Sequence, residues 1–271
     1  GLPRGGAIKK AVKLGMVEVE GTLLDMFMLL KRLGFDGVEL DSPNDLDPAE
    51  VVHARDTARL PIPGVVDSVH WQKTLGDPDP AVRAEGLDGL RTALHDARTY
   101  GASTVLLVPA VVNEQIAYAD AYTRSQEEIR KVLPLAEELG VKIAVENVWN
   151  QFLLSPLEFA RYLDEFESPW IGAYFDIGNI VNYGWPEQWI RTLGPRILKL
   201  DVKEFSRAKR NEEGLWQGFR VEIGEGDVDW AAVRAALADV GYRGWATAEV
   251  PGGGEDRLRD LAARMDRVLG T

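Results

Sequence analysis

Three features of the sequence predict an α/β chain folded as one closed (β/α)8 barrel. Short apolar runs rich in β-branched residues alternate with longer segments of helical periodicity, eight times in order. No composition shift or linker divides the 271 residues, and a single barrel of this length is ordinary, so one domain is expected from 1 to 271. Four late apolar runs carry a carboxylate at their ends: KIAVENVWN has Glu146, GAYFDIGN has Asp176, ILKLDVKEF has Asp201 and GWATAEVPGG has Glu249. A buried strand gains nothing from an acid at its exit unless a cation, an ion pair or hydrogen bonds offset the desolvation. In a parallel barrel the strand exits are where the chemistry sits. A doubly wound open sheet is the competing fold, but it needs a Gly-rich phosphate turn after its first strand, and Gly5-Gly6 precedes that strand.

Taken in order, the first strand is expected at 9–17 (KKAVKLGMV). Residues 23–33 are apolar at helical spacing and stop at Gly34. Strand two, 37–40, leads to a helix at 48–59 that starts with Pro48. Strand three, 65–70, ends in His70, and a long amphipathic helix at 81–100 is halted by Gly101. Strand four is 104–108 (TVLLV), followed by a helix at 125–139 that Gly140 ends. Strand five, 142–145, runs into Glu146, and Ser155 and Glu158 have capping-box spacing at the start of the next helix. Strand six is 171–175, with a helix at 186–193 and strand seven at 197–202. A long loop to about Asp229 precedes a helix at 230–240, strand eight at 244–249 and a closing helix at 255–269.

Composition narrows the function. The formal charge of −12, from 43 acidic against 31 basic residues, argues against a nucleic-acid partner and suits a divalent-cation site. With no cysteine, disulfides and thiolate metal sites are excluded. No apolar run approaches the ~18 residues of a membrane span, so no membrane partner is expected. The chain starts GLPRGG, which reads as a trimmed end, so a soluble, cytoplasmic protein is the default and export stays open.

Four acids with the same grammar point to one site. Oxygen ligands suit Mn²⁺, Mg²⁺ or Ca²⁺ more than a softer ion; the competing reading makes the acids helix caps or partners of Lys199, Lys203 and Arg220. His53 and His95 fall inside helices and are read as structural, whereas His70 sits where it could touch a substrate hydroxyl. Trp71, Trp149, Trp185 and Trp216 lie in or beside the loops after strands three, five, six and seven. Aromatic faces beside carboxylates and amides (Asn147, Asn179, Gln217) suit a polyhydroxylated ligand.

AVENVWN, FDIGN, RILKLDVKEF and FRVEIGEGDVDW resemble the xylose-isomerase-like TIM-barrel sugar (phosphate) isomerases and epimerases, whose more distant relatives include endonuclease IV. The resemblance implies a divalent metal held by Glu, Asp, His and Glu. Glu146, Asp176 and Glu249 match three of these, and Asp201 stands where the family has its histidine. It implies Glu146 and Glu249 as the catalytic acid/base pair, Arg220 near the substrate and His70 as a strand-three histidine. Asn179 stands where many members have a histidine. The expected metal ligands are therefore Glu146, Asp176, Asp201 and Glu249, with Mn²⁺ or Mg²⁺ favoured over Zn²⁺. The expected substrate-binding residues are His70, Trp71, Asn147, Trp149, Asn179, Lys203 and Arg220. The implied activity is isomerisation or epimerisation of a small-molecule ketose or sugar phosphate through an enediolate, with a homo-oligomer left open. A non-catalytic sugar-binding barrel is the alternative. A phosphodiesterase is disfavoured by the three histidines and the acidic charge.

Overall fold

The computed structural model of the protein describes residues 8–271; Gly5-Gly6 lies outside them. The strands are β1 (Lys9–Lys13), β2 (Gly37–Ser42), β3 (Gly64–Asp67), β4 (Thr104–Leu107), β5 (Lys142–Glu146), β6 (Ile171–Asp176), β7 (Ile197–Val202) and β8 (Trp245–Ala248). Each pairs in parallel with the next, and β8 returns to β1, with Lys10 opposite Ala246 and Val12 opposite Ala248, so the sheet is a closed ring. Around it lie α1 (Leu23–Arg32), α2 (Pro48–Ala58), α3 (Pro80–Tyr100), α4 (Tyr118–Leu139), α5 (Pro156–Asp164), α6 (Pro186–Leu193), α7 (Arg207–Glu213), α8 (Trp230–Asp239) and α9 (Glu255–Leu269). Among the described residues no helix is long and apolar enough to cross a membrane.

The helix boundaries follow local chemistry. Asp47 and Asp79 accept from Ala49 and Ala81 N–H, ahead of Pro48 and Pro80. Thr22 and Asp25 form a reciprocal capping box on α1. The Ser155 box is only half made: Ser155 Oγ accepts from Glu158 N–H at 3.2 Å, but the Glu158 carboxylate accepts from Tyr118 Oη at 2.5 Å. Gly101 and Gly140 close α3 and α4 in the left-handed conformation that favours glycine, while Arg59 takes it at α2 with φ 54°.

Several elements shift by one or two residues, and four differences bear on the site or the helix layer. β1 stops at Lys13, because residues 14–16 tighten into a 3-10 turn. β3 stops at Asp67, which leaves His70 three residues beyond it in the following turn. α4 begins at Tyr118 rather than 125; Ser125 looks like a cap but instead meets Tyr162 Oη at 2.8 Å inside the helix layer. The long loop after β7 contains α7 and a 3-10 turn, Leu215–Phe219. α7 (RAKRNEE) buries no residue, so no apolar stripe announces it.

The main apolar core lies between the strands and the helices. Inside the ring a small apolar cluster of Leu106, Ala144 and Tyr174 shares the axis with buried polar groups. Near the strand starts, the Lys199 ammonium donates to Ser103 Oγ (2.9 Å), Thr104 Oγ1 (2.6 Å) and the Pro63 carbonyl. Glu39 accepts from Thr247 Oγ1 at 2.8 Å and from Tyr174 Oη. Above these sits the mouth, where the loop after β8 is tied to the turn after β1: Gly253 N–H donates to Met16 O at 3.0 Å. A Cβ at Gly252 would lie 1.9 Å from the Met16 carbonyl, so only glycine allows that approach.

Candidate active site

β5, β6 and β7 deliver Glu146, Asp176 and Asp201 to one point, and the loop after β8 adds Glu249. One carboxylate oxygen from each of the four lies within 4.8 Å of the others. The parallel ring explains the convergence: Asp176 and Asp201 are register partners across β6 and β7, and Glu249 N–H donates to Val202 O at 3.1 Å. Glu146, Asp176 and Asp201 are buried, while the Glu249 side chain is 41% exposed. Glu146 Oε2, Asp176 Oδ2 and both Asp201 oxygens have no hydrogen-bond partner, an expensive arrangement for buried carboxylates.

Two ammonium groups partly balance the cluster. Lys203 Nζ lies 3.2 Å from Asp176 Oδ2 and 3.3 Å from Glu249 Oε1. Lys13 Nζ lies 3.1 Å from Asp201 Oδ1 and 3.3 Å from Glu39 Oε2. The contacts to Asp176 and Asp201 are ion pairs without hydrogen-bond geometry, so those oxygens remain open acceptors. Burial opposes the charge on both lysines, but the surrounding carboxylates outweigh it and raise them above their ordinary range.

With only the protein's own charges, the acids separate. Burial, then repulsion from Glu249, pushes Glu146 up to about 8. Burial pushes Asp176 up to about 6 against the pull of Lys203, and Asp201 well above the usual carboxylate range. Burial also opposes ionisation of Glu249, but Lys203, the neighbouring Asp201 carboxyl and Lys13 together outweigh it and hold it at about 2. Protonation is therefore favoured at Asp201 and Glu146, and negative charge at Glu249.

Above the cluster is a cavity of about 570 Å³, within the range of small-molecule sites. His70, Trp71, Trp149, Asn179 and Lys203 line it, with Trp216 and Phe219 from the loop after β7. Trp149 Nε1–H donates to the Asn179 carbonyl at 2.8 Å, and its ring lies 4.7 Å from Trp216 and 4.8 Å from Phe219. Asn147 does not reach the cavity. Its amide donates to Asp176 O at 2.9 Å and accepts from Asp176 N–H at 2.8 Å, so it locks the end of β6 to β5. Arg220 is exposed and off the cavity wall, and Trp185 stands outside it against Arg207.

Two site residues escaped the sequence reading. Lys13, not Lys199 or Lys203, is the partner of Asp201; Lys199 points toward the strand starts. Its signal in the sequence is its place as the last residue of β1. Glu204 is the second. Its buried carboxylate accepts from the N–H groups of Phe205 (3.1 Å), Gly224 (2.9 Å) and Val228 (3.1 Å), and from Trp230 Nε1 (3.0 Å). This explains the GEGDVDW stretch, because a Cβ at Gly226 would lie 2.5 Å from Glu204 Oε1.

His70 Nδ1 accepts from Val108 N–H at 3.0 Å, which leaves Nε2 as the protonated, donating nitrogen. Burial holds the imidazole down at about 4 despite the pull of Glu249. The unfolded chain therefore binds this proton first as pH falls, and the stability linked to neutral His70 is lost between about 6.5 and 4, by roughly 3 kcal/mol. Asp67 acts in the opposite sense, because burial pushes it up to about 7. Denaturant titrations of wild type and His70→Asn from pH 7 to 4 should show a flatter decline in the variant, and parallel curves would contradict this.

The family model described as xylose isomerase-like TIM barrel matches residues 27–268. L-ribulose-5-phosphate 3-epimerase UlaE of Escherichia coli O1:K1 / APEC is 28% identical over 285 residues, covering 96% of this chain and 98% of that protein. Among solved structures, L-ribulose 3-epimerase aligns with a TM-score of 0.81 at 17% identity, covering 98% of this chain and 95% of that one. D-psicose 3-epimerase in the presence of D-fructose aligns at 0.78 and 19% identity, covering 97% of this chain and 100% of that one. At such identities the structural likeness speaks to the fold alone. The family match spans all but the first strand and turn of the closed ring, and the chain belongs to the xylose isomerase-like TIM barrel family.

Proposed function

We propose that the protein is a divalent-metal-dependent epimerase of a ketose or ketose phosphate, working by proton transfer next to the carbonyl through an enediolate. The observation that carries this reading is the set of four carboxylates that converge on one point at the strand exits. The names of the relatives, 3-epimerases of ribulose 5-phosphate, ribulose and psicose, support it.

The residues fit a hard dication. Four oxygens lie within reach of one point, the buried ones lack hydrogen-bond partners, and four carboxylates against Lys13 and Lys203 leave a formal charge of −2. All-oxygen donors favour Mn²⁺ or Mg²⁺ over Zn²⁺. When bound by Glu146, Asp176, Asp201 and Glu249, such an ion supplies Lewis-acid polarisation of the substrate carbonyl and adjacent hydroxyl. Glu249 takes the C–H proton, and Glu146 returns one to the other face. Two carboxylates suit epimerisation, whereas a single base suffices for aldose–ketose isomerisation. His70 Nε2–H orients a hydroxyl, the Asn179 amide holds Lys203 and the Asn147 carbonyl in place, and the tryptophans cover the C–H faces and exclude water.

The test is deuterium uptake from D₂O at the carbon next to the carbonyl, followed by NMR with Mn²⁺ and after chelation. No uptake from any ketose or ketose phosphate in the presence of Mn²⁺ or Mg²⁺ would sink the proposal. Asp201→Ala is expected to weaken Mn²⁺ binding at least tenfold by calorimetry, about 1.4 kcal/mol or more. Equal affinities would leave Asp201 to Lys13 alone.

A further inference from the structure

We infer that the substrate is an uncharged, unphosphorylated ketose, an inference that rests on the epimerase reading. Among the described residues the only cations on the cavity wall are Lys13 and Lys203. Both are engaged: Lys13 with Asp201 and Glu39, Lys203 with Asp176, Glu249 and, at 3.2 Å, Asn179 Oδ1. Drawing either to a phosphate would strip a buried carboxylate of its partner, which is strongly unfavourable. Outside the four-acid cluster the remaining charged group on the wall is Asp41, whose charge repels a phosphate dianion.

The backbone gives the same answer. In this barrel architecture phosphate is frequently held by N–H groups of the loops after the seventh and eighth strands, with the N-terminus of a helix. Here the loop after β7 already holds an anion of its own. Phe205, Gly224 and Val228 N–H, with the Trp230 indole, all donate to Glu204. After β8, Gly253 N–H donates to Met16 O, and Arg257, in the first turn of α9, is engaged by Glu222 and by the Pro251 carbonyl at 3.1 Å. In place of donors, the outer cavity offers aromatic faces. Trp149, Trp216 and Phe219 form one wall, and Trp71 stands beside His70 on the wall formed after β3. Such faces match the C–H side of a neutral sugar.

The experiment compares exchange by the Mn²⁺-supplemented full chain on L-ribulose and D-fructose with exchange on L-ribulose 5-phosphate and D-fructose 6-phosphate. The expected result is a kcat/KM at least tenfold higher for the free sugars. Trp216→Ala should raise KM for the free sugars severalfold, because its ring forms part of the outer cavity wall. Phosphate esters turned over as well as the free sugars, or better, would overturn the inference while leaving the epimerase reading intact. Loss of that turnover in Arg220→Ala would then identify Arg220 as the phosphate's partner. No exchange with any of these four, nor with the wider set of ketoses and ketose phosphates, would remove the epimerase reading and this inference together.

Discussion

Glu249→Gln is expected to reduce exchange of the C–H that faces Glu249, and with it epimerisation, by roughly 10²- to 10⁴-fold, with little change in the fold. The amide keeps the shape of the side chain but has no basic lone pair at neutral pH. The Glu249 side chain is 41% exposed, and Lys203 keeps Asp176 and Asn179 as partners when it goes, so the structural cost is small. Glu249 is the member of the pair free to accept a proton, because Lys203, Asp201 and Lys13 favour its ionised form, whereas burial favours the protonated form of Glu146 until a cation draws it down. Glu146→Gln provides the complementary result. With two bases on two faces, each variant should still wash deuterium into the one epimer whose own base survives, without inverting it. Full turnover by Glu249→Gln would remove Glu249 from the chemistry.

Glu204→Ala should give the largest loss of stability outside the apolar core. The carboxylate is 1% exposed and accepts three backbone N–H groups and one indole. Hydrogen bonds to charged groups contribute about 1.5–3 kcal/mol each, and donors left buried without partners cost about 1–3 kcal/mol apiece. Partial rehydration of the loop offsets part of this, so a net loss of about 4 kcal/mol is reasonable, or a Tm fall of roughly 8–16 °C for a chain of this size. Glutamine should recover only part, because its NH₂ faces backbone donors. The loop this carboxylate holds carries Trp216 and Phe219. Substrate KM should therefore rise in the alanine variant even at temperatures where it stays folded. A Tm within 2 °C of wild type by calorimetry would contradict this account (about 2 °C is less than 1 kcal/mol).

What was legible in the sequence depended on the range of the cause. The eight strands, their order and the four acids at their exits follow from period, β-branched content and strand-end chemistry, all written within about ten residues. β7 and α9 match their expected bounds for that reason, and Gly101 and Gly140 stop their helices where the local rule says. Where a local signal had a distant competitor, it failed. Ser155 and Glu158 have the spacing of a reciprocal cap, yet Tyr118 takes the Glu158 carboxylate. Asn147 has the composition of a ligand for hydroxyls, yet both ends of its amide close on Asp176.

By itself, then, the sequence determined that this is a barrel with an acidic mouth, because hydrophobic period and strand-exit position are properties of short segments. Only the tertiary structure decided which charges meet. Lys13 and Asp201 are far apart in the chain and become neighbours because β8 closes the ring onto β1. Glu204 and the glycines of GEGDVDW meet because the loop after β7 folds back over its own strand end. Partner choice among buried charges is set by distance and desolvation, and both exist only once the ring has closed.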